Sequence, residues 1–257
     1  NNFFDILQKK KLEKKIVSFK PDFIFHLAAQ PLVTKAYKNP FLTWQTNLIG
    51  TINLLEFCKR NRSGFILLST SRVYSALELA TLKVKPTEQY YQPTSIETKG
   101  VSKKGLTEQF PTTAPISLYG ASKLASETLI LEYGQAFDFP VWINRCGVLA
   151  GAGQFGKADQ GIFSYWIHAF REKKPLKYLG FHGSGMQVRD ALHPKDLASL
   201  LFKQMQNPAK ELQIFRNFGA PCAESIAITR RKFATQNIVL LCSSLSNHQF
   251  VQRDTLF

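Results

Sequence analysis

The chain has 257 residues, of which 44% are hydrophobic and 20% are charged, as is usual for a folded globular protein. It contains no run of about 18 apolar residues and opens with no apolar leader, so we expect no membrane span and a cytoplasmic location. The net charge of +15 fits an anionic small substrate; the lysines are dispersed and no nucleic-acid motif accompanies them, so no nucleic-acid partner is expected.

The four cysteines are scattered without C-x-x-C spacing, which predicts no metal site. Residues 11–19 form a short amphipathic pattern with Leu12, Ile16 and Phe19 on one face, which predicts a helix. Residues 23–29 are a continuous apolar run, typical of a parallel strand buried on both faces. Gln30 follows at its carboxyl end, where open α/β sheets bind ligands.

The middle of the chain continues this alternation. Residues 40–61 predict a long helix that contains Asn47, and residues 65–68 predict a second buried strand that ends at Ser69, Thr70 and Ser71. The polar segment 81–115 is longer than an ordinary connecting loop, so we interpret it as a functional lid or insertion.

Tyr119 and Lys123 begin the next predicted helix. Four residues apart, they share one helical face, and a nearby ammonium favours the ionised form of a phenol whose free pKa is about 10. Such a pair can act as a base near neutral pH. A five-residue motif alone also fits an exposed Tyr and Lys on a surface helix.

The second half of the chain predicts a strand over 141–146, a glycine-rich loop over 151–161 and a helix over 162–171. A short strand over 176–181, a turn over 182–185 and a helix over 196–205 follow. Residues 151–156 (GAGQFG) satisfy G-x-G-x-x-G, but the next predicted strand, 176–181, is followed by His182 and Gly183 rather than by the acidic residue that binds a ribose. We therefore interpret the loop as a substrate loop.

Strands that alternate with helices predict an α/β fold with a doubly wound parallel sheet and a small substrate-binding lobe. We predict a dinucleotide-binding region over 1–150, a substrate-binding region over 151–216 and a divergent tail over 217–257.

Five motifs occur in a fixed order: residues 26–30 (HLAAQ), 47–55 (NLIGTINLL), the Ser69-Thr70 strand end, Tyr119-x-x-x-Lys123, and 188–193 (VRDALH). With them the chain resembles the extended short-chain dehydrogenase/reductases, and among these the NAD-dependent nucleotide-sugar epimerases and dehydratases. Residues 151–161 and 187–190 are most similar to the CDP-paratose/CDP-tyvelose 2-epimerase branch.

The resemblance implies a Rossmann-like fold and NAD as the cofactor. It assigns NAD contacts to Asp5, Ile6, Ala28, Ala29, Gln30, Asn47, Tyr119 and Lys123. The family's first strand and phosphate-binding glycine loop would precede Asp5 and are not in this sequence. The chain therefore looks N-terminally truncated, and we expect it to bind NAD weakly as given.

The resemblance also implies a chemistry. Tyr119 would be the base, Lys123 would hold it, and Thr70 would bind the sugar hydroxyl. Gln154, Gln160 and Arg189 would bind the nucleotide sugar, with the Arg189 guanidinium on its diphosphate.

At the two positions after Thr70, where 4,6-dehydratases carry Asp-Glu, this chain has Ser71 and Arg72, which disfavours dehydration. The interpretation is a CDP-deoxyhexose 2-epimerase-like enzyme. An inactive fragment, and a nucleotide-sugar 4-epimerase or reductase, stay open as alternatives, as does a homo-oligomer.

Overall fold

In the computed structural model, the described residues are 5–88, 90–94, 97–102, 105–157, 160–178, 184–186, 188–189, 191–207, 213–215 and 226–227. Their helices are α1 (Lys9–Phe19), α2 (Val33–Lys38), α3 (Pro40–Trp44), α4 (Gly50–Asn61), α5 (Ala76–Thr81), α6 (Leu118–Phe137), α7 (Ile162–Arg171) and α8 (Pro194–Gln206). No helix among these residues is long and apolar enough to cross a bilayer.

The strands alternate with the helices, as the sequence predicts for an α/β fold. They are β1 (Phe23–His26), β2 (Gly64–Thr70), β3 (Val84–Pro86), β4 (Tyr91–Pro93), β5 (Val101–Ser102), β6 (Gly105–Leu106), β7 (Val141–Cys146), β8 (Val148–Leu149), β9 (Val188–Arg189), β10 (Ala191–Leu192), β11 (Gln213–Phe215) and β12 (Ile226–Ala227). The main sheet has the order β1-β2-β7-β11, and β1 with β2 and β7 with β11 run parallel.

The described chain divides into two compact units, each of which we describe by itself. The first consists of Asn1–Val73, Ile116–Arg145 and Ala198–Phe215, and the second of Tyr74–Pro115, Cys146–Leu197 and Arg216–Phe257. The first unit contains the main sheet, with α4 and α6 packed on it. Its apolar core consists of Leu12, Leu54, Leu55, Phe57, Cys58, Phe65, Leu67, Ile130, Phe139, Val141 and Ile143.

Two expectations about the start of the chain are wrong in detail. Phe19 was expected on the apolar face of the first helix, but 74% of it is exposed, because the helix ends there and Lys20 turns into the left-handed conformation (φ 45°) before Pro21. The first strand ends at His26, and the chain leaves the sheet with Leu27 61% exposed. Within the described sheet β1 pairs only with β2, so it is half-buried rather than enclosed.

The long helix predicted over 40–61 is present, but it contains one irregular turn. Between α3 and α4 the chain forms a π-helical turn over Gln45–Ile49, a kind of turn that is frequent at functional sites. Asn47 lies in this turn and is buried.

The polar residues 81–115 belong to the second unit and are not a structureless loop. They contain two short antiparallel hairpins, β3–β4 and β5–β6. Their apolar side chains pack in a small core of Tyr74, Leu82, Val101, Leu106 and Phe110. The segment is therefore a folded insertion, and its use as a lid stays a prediction.

The strand expected over 176–181 is contradicted for residues 176–178, which form no strand, and the rest of it lies outside the described residues. Leu176 closely follows the end of α7, where the Lys174 N–H bonds to the carbonyl of Ala169 and continues the turn. The turn expected over 182–185 is only partly within the described residues.

Candidate functional site

One face of α6 is polar although it faces the interior. Tyr119, Ser122, Lys123, Ser126 and Glu127 follow the i, i+3, i+4, i+7, i+8 spacing of a single helical face, and we call them the polar face of α6. All but the half-buried Tyr119 are buried, and Lys123 is only 2% exposed. Buried polar groups require partners, so the neighbours of this face are informative.

The first neighbour is Asn47, which connects the loop after β1 to α6. Its side-chain oxygen accepts a hydrogen bond from the Gln30 N–H at 2.7 Å, and its amide donates to the Gln30 carbonyl at 3.2 Å and to Ser122 Oγ at 2.9 Å. The Asn47 carbonyl accepts the hydroxyls of Thr51 at 2.6 Å and Ser126 at 2.9 Å. Gln30 is thereby fixed relative to the polar face.

The second neighbour is the end of β2. Ser69 Oγ donates a short hydrogen bond to Glu127 Oε1. Farther along, the chain passes so close to α6 that a Cβ on Gly120 would clash with the Arg72 carbonyl oxygen. The end of β2, which carries the half-buried Thr70, therefore lies beside the first turns of α6.

Glu127 also forms a buried ion pair with Arg145 of β7. The Glu127 carboxylate accepts Arg145 Nη2 at 2.7 Å and Nε at 3.1 Å, and the two side chains are 2% and 6% exposed. Charged groups at such depth are tolerated only when paired, and here the carboxylate also accepts the Ser69 hydroxyl.

His26, at the end of β1, is neutral and has a defined tautomer. Its Nε2 lies 2.8 Å from Thr51 Oγ1, whose only proton is donated to the Asn47 carbonyl, so His26 Nε2 must carry the proton. Burial, and then the charge of Lys123, lower the pKa of His26 to about 3. Its Nδ1 is thus a buried acceptor, and among the described residues it has no hydrogen-bond partner.

The other residues predicted to bind NAD lie at the start of the first unit and after β1. Asp5 is exposed, and its carboxylate accepts the Leu7 N–H at 2.9 Å. Ile6 lies over Gly50 of α4, and Asn53 donates to the Ile6 carbonyl at 2.9 Å. Ala28 is exposed and Ala29 half-buried.

The residues predicted to bind substrate lie in the second unit. The Gln154 side chain donates to the Leu149 carbonyl at 2.8 Å and accepts from Ser164 Oγ at 3.0 Å, so its amide is already engaged within the loop. Gln160 is exposed and its backbone bridges to Lys157. The backbone of Arg189 lies in β9; its side chain lies outside the described part.

The G-x-G-x-x-G match at 151–156 has the wrong setting for a dinucleotide site. It follows β8, which pairs with β10 and is not a strand of the main sheet. The next helix, α7, begins only at Ile162. A phosphate-binding turn leads directly from a strand of the sheet into the N-terminus of a helix, and this one does not.

A model of the NAD dependent epimerase/dehydratase family matches residues 2–215. The chain belongs to this family. A CDP-paratose 2-epimerase of Salmonella typhi is 31% identical over 228 residues, which are 87% of this chain and 65% of that protein. The chain thus spans slightly less than two thirds of that relative.

Solved structures agree on the fold. The structure of Pal from Bacillus thuringiensis is 26% identical, with a TM-score of 0.70 over 88% of this chain and 62% of that one. A UDP-glucose 4-epimerase of Thermus thermophilus, solved in complex with NAD, is 24% identical, with a TM-score of 0.61 over 84% of this chain and 62% of that one. The predicted Rossmann-like fold is therefore confirmed.

NAD is the cofactor of the family, and the residues at the end of β1 fit it. Ala28 and Ala29 have small, accessible side chains, and the adjacent Gln30 is held in place through its backbone by Asn47. The buried ammonium of Lys123 lies in the same unit, as does His26 Nδ1, which is buried and has no hydrogen-bond partner among the described residues. In open α/β sheets ligands bind outside the carboxyl ends of the strands, which is where these residues lie.

The sequence interpretation missed the residues that hold this arrangement together: His26, Thr51, Ser69, Ser122, Ser126, Glu127 and Arg145. A signal for three of them, Ser122, Ser126 and Glu127, was present, because polar residues recur at 3–4 spacing from Tyr119 to Glu127. For Arg145 no such signal exists, since its pairing depends on the packing of α6 against β7.

Proposed function

We propose that the chain is part of an NAD-dependent nucleotide-sugar epimerase that acts as a CDP-deoxyhexose 2-epimerase. The observation that carries the proposal is the polar face of α6, on which Lys123 is buried one turn from the half-buried Tyr119. A buried ammonium at that position favours the phenolate over the phenol. The CDP-paratose 2-epimerase relative supports the choice of substrate.

Each residue has a task in this proposal. Tyr119 takes the proton from the sugar hydroxyl at the reacting carbon and later returns it, and Lys123 stabilises the phenolate in between. Thr70 donates or accepts a hydrogen bond at the same hydroxyl and orients it. The chemistry that NAD would supply when bound is reversible hydride transfer with the reacting carbon, and return of the hydride to the opposite face of the ketone would invert that carbon. Arg189 and the loop of Gln154 and Gln160 are proposed to bind the nucleotide.

Ser71 and Arg72 support epimerisation over dehydration. Removal of water from the sugar requires an acid and a base beside Thr70. Here the Arg72 N–H bonds to Thr70 Oγ1 at 3.2 Å, its side chain is exposed, and no carboxylate stands at either position. We therefore expect no 4-keto-6-deoxy product from CDP-glucose.

The test is incubation of the 257-residue protein with CDP-paratose and a large excess of NAD, which offsets the weak NAD binding expected of this chain, followed by proton NMR of the sugar H2. We expect conversion to CDP-tyvelose, and a loss of at least about 100-fold in kcat for Tyr119→Phe, since general-base catalysis contributes about that much or more. Tyr133→Phe on the same helix is the matched control and should keep full activity.

The alternatives give different results. Inversion at C4 of UDP-glucose without activity on CDP-paratose would identify a 4-epimerase. Absence of turnover together with absence of NAD binding in a calorimetric titration would identify an inactive chain. Cytoplasmic location and a homo-oligomeric state remain predictions, which fractionation and light scattering test.

A further inference from the structure

Two contacts hold the last residues of β2 against α6. At Ser69 the contact is a hydrogen bond to Glu127, and at Arg72 it is the close approach of the carbonyl to Gly120. Thr70 lies between these two contacts. Its Oγ1 accepts the Arg72 N–H at 3.2 Å, which leaves the hydroxyl proton available for another acceptor.

Side chains alternate between the two faces of a strand. Ser69 and Thr70 are consecutive residues at the end of β2, so the direction of the Thr70 side chain is coupled to that of Ser69, which is bound to Glu127. A rotation of the strand end about its own axis would therefore change the direction of the Thr70 hydroxyl. The Ser69–Glu127 hydrogen bond opposes that rotation.

Glu127 can do this only because its own position is fixed. Arg145 of β7 binds both of its oxygens, and both side chains are buried. Burying a charge pair stabilises a fold little, and apolar residues of similar volume often serve as well. The ion pair keeps the Glu127 carboxylate in one place, where it accepts the Ser69 hydroxyl.

We infer that Glu127 is a positioning residue that acts through Ser69 to set the direction of the Thr70 hydroxyl. The inference rests on the proposed function only for the use of that hydroxyl, and the orientation itself can be measured without turnover. Arg145 is a second positioning residue, since it holds the Glu127 carboxylate in place.

The sharpest test compares Ser69→Thr with Ser69→Val. The two replacements have nearly the same shape, but only threonine keeps the hydroxyl that Glu127 binds. In protein with isotope-labelled threonine, three-bond couplings to the Thr70 methyl carbon report its χ1 angle. We expect one rotamer in the parent and in Ser69→Thr, and an average over rotamers in Ser69→Val.

The second test measures the kinetics of the same variants in the epimerase assay. We expect Ser69→Val to lower kcat about 5- to 15-fold, the effect of one hydrogen bond, with the KM for the nucleotide sugar unchanged. In a Thr70→Val background the same change should have no further effect on kcat, because the residue through which it acts is gone. Ser69→Thr should retain the parent kcat.

The outcomes separate the two proposals. A protein without turnover in which Ser69→Val still averages the Thr70 rotamer would refute the epimerase and leave the inference intact. An active Ser69→Val that keeps one Thr70 rotamer and the parent kcat would overturn the inference. Effects of Ser69→Val that add to those of Thr70→Val would also overturn it, since they would show a general loss of structure.

Discussion

Strands β7 and β1 flank β2 on opposite sides, and their burial is the reverse of what their sequences suggest. β7 contains Asn144 and Arg145 yet is buried at all six positions. β1 reads Phe-Ile-Phe-His, yet Phe25 is 38% exposed. The polar residues of β7 are tolerated because each has a partner: Asn144 and Gln204 exchange two hydrogen bonds at 2.9 and 3.0 Å, and Arg145 binds Glu127.

The difference shows that burial depends on the neighbours of a strand rather than on its own hydrophobicity. β7 has strands on both sides and α6 against it, whereas β1 has β2 alone within the described sheet. Stability should therefore be concentrated around β7, while Leu27 and Ala28, which directly follow β1, stay accessible. An accessible, less stable strand end is a suitable place for a ligand.

The largest effect is expected on the β7 side. Glu127→Gln would remove the carboxylate charge that pairs with the buried Arg145 guanidinium and should lower the free energy of unfolding by about 3 kcal/mol or more. Urea denaturation measures it. Glu132→Gln, an exposed position on the same helix, is the control and should change it by less than about 0.5 kcal/mol.

The double replacement Glu127→Met with Arg145→Met sharpens this prediction. Two apolar side chains leave no charge behind, so much of the lost stability should return. If the double variant were as unstable as the sum of the two single variants, the buried pair itself would be the main source of stability in this region.

A pair of identical replacements compares the two strands directly. Ile143→Ala in β7 removes a fully buried side chain from the core and should cost about 3–4 kcal/mol of unfolding free energy. Ile24→Ala in β1, where the isoleucine is only partly buried against the same core, should cost less than about half as much. Equal losses in urea denaturation would contradict the comparison.

The next effect concerns the contact that holds the accessible strand end. Asn47→Ala removes the partner of the Gln30 N–H and should cost about 2 kcal/mol, because that N–H and the Ser122 hydroxyl lose their bonds. Hydrogen exchange at Gln30 should accelerate more than exchange in β7. Asn39→Ala, which removes an exposed helix cap, is the control and should leave exchange at Gln30 unchanged.

Local sequence patterns predicted the bounds of the helices and strands better than they predicted how each element is buried. The helix over 162–171 and the strand over 141–146 occur with the bounds that the sequence predicts, because periodicity and apolar runs are local properties. The shortened β1 and the exposed Phe19 were wrong because both depend on what lies next to the element. Tyr119 and Lys123 could be singled out from their spacing, and their roles remain proposals.

The supporting residues could not be predicted in the same way. The resemblance singled out Asn47, but no residue pattern in the sequence indicates the π-helical turn in which it lies. Arg145 binds a residue 18 positions earlier, and Gln204 binds one 60 positions earlier. Such pairs follow from how α6 and α8 pack on β7, so they become visible only in the folded chain.

The smallest effect is a pH dependence that originates on the β1 side. Burial, and then the charge of Lys123, lower the pKa of His26 to about 3, below the ordinary value of 6.5 that we take for the unfolded chain. Between these two values the unfolded chain binds a proton that the folded chain does not, so this contribution is fully present above pH 6.5 and is lost as the pH falls. From pH 6.5 to 5.5 the loss should be about 1 kcal/mol of unfolding free energy.

His26→Gln keeps an N–H donor for Thr51 but does not titrate, so the stability of this variant should fall less over the same interval. Urea denaturation of both proteins at a series of pH values measures the difference. If the free energy of unfolding fell equally with pH in both, His26 would take up its proton in the folded state. Its side chain would then be far less shielded from water than its 2% exposure indicates.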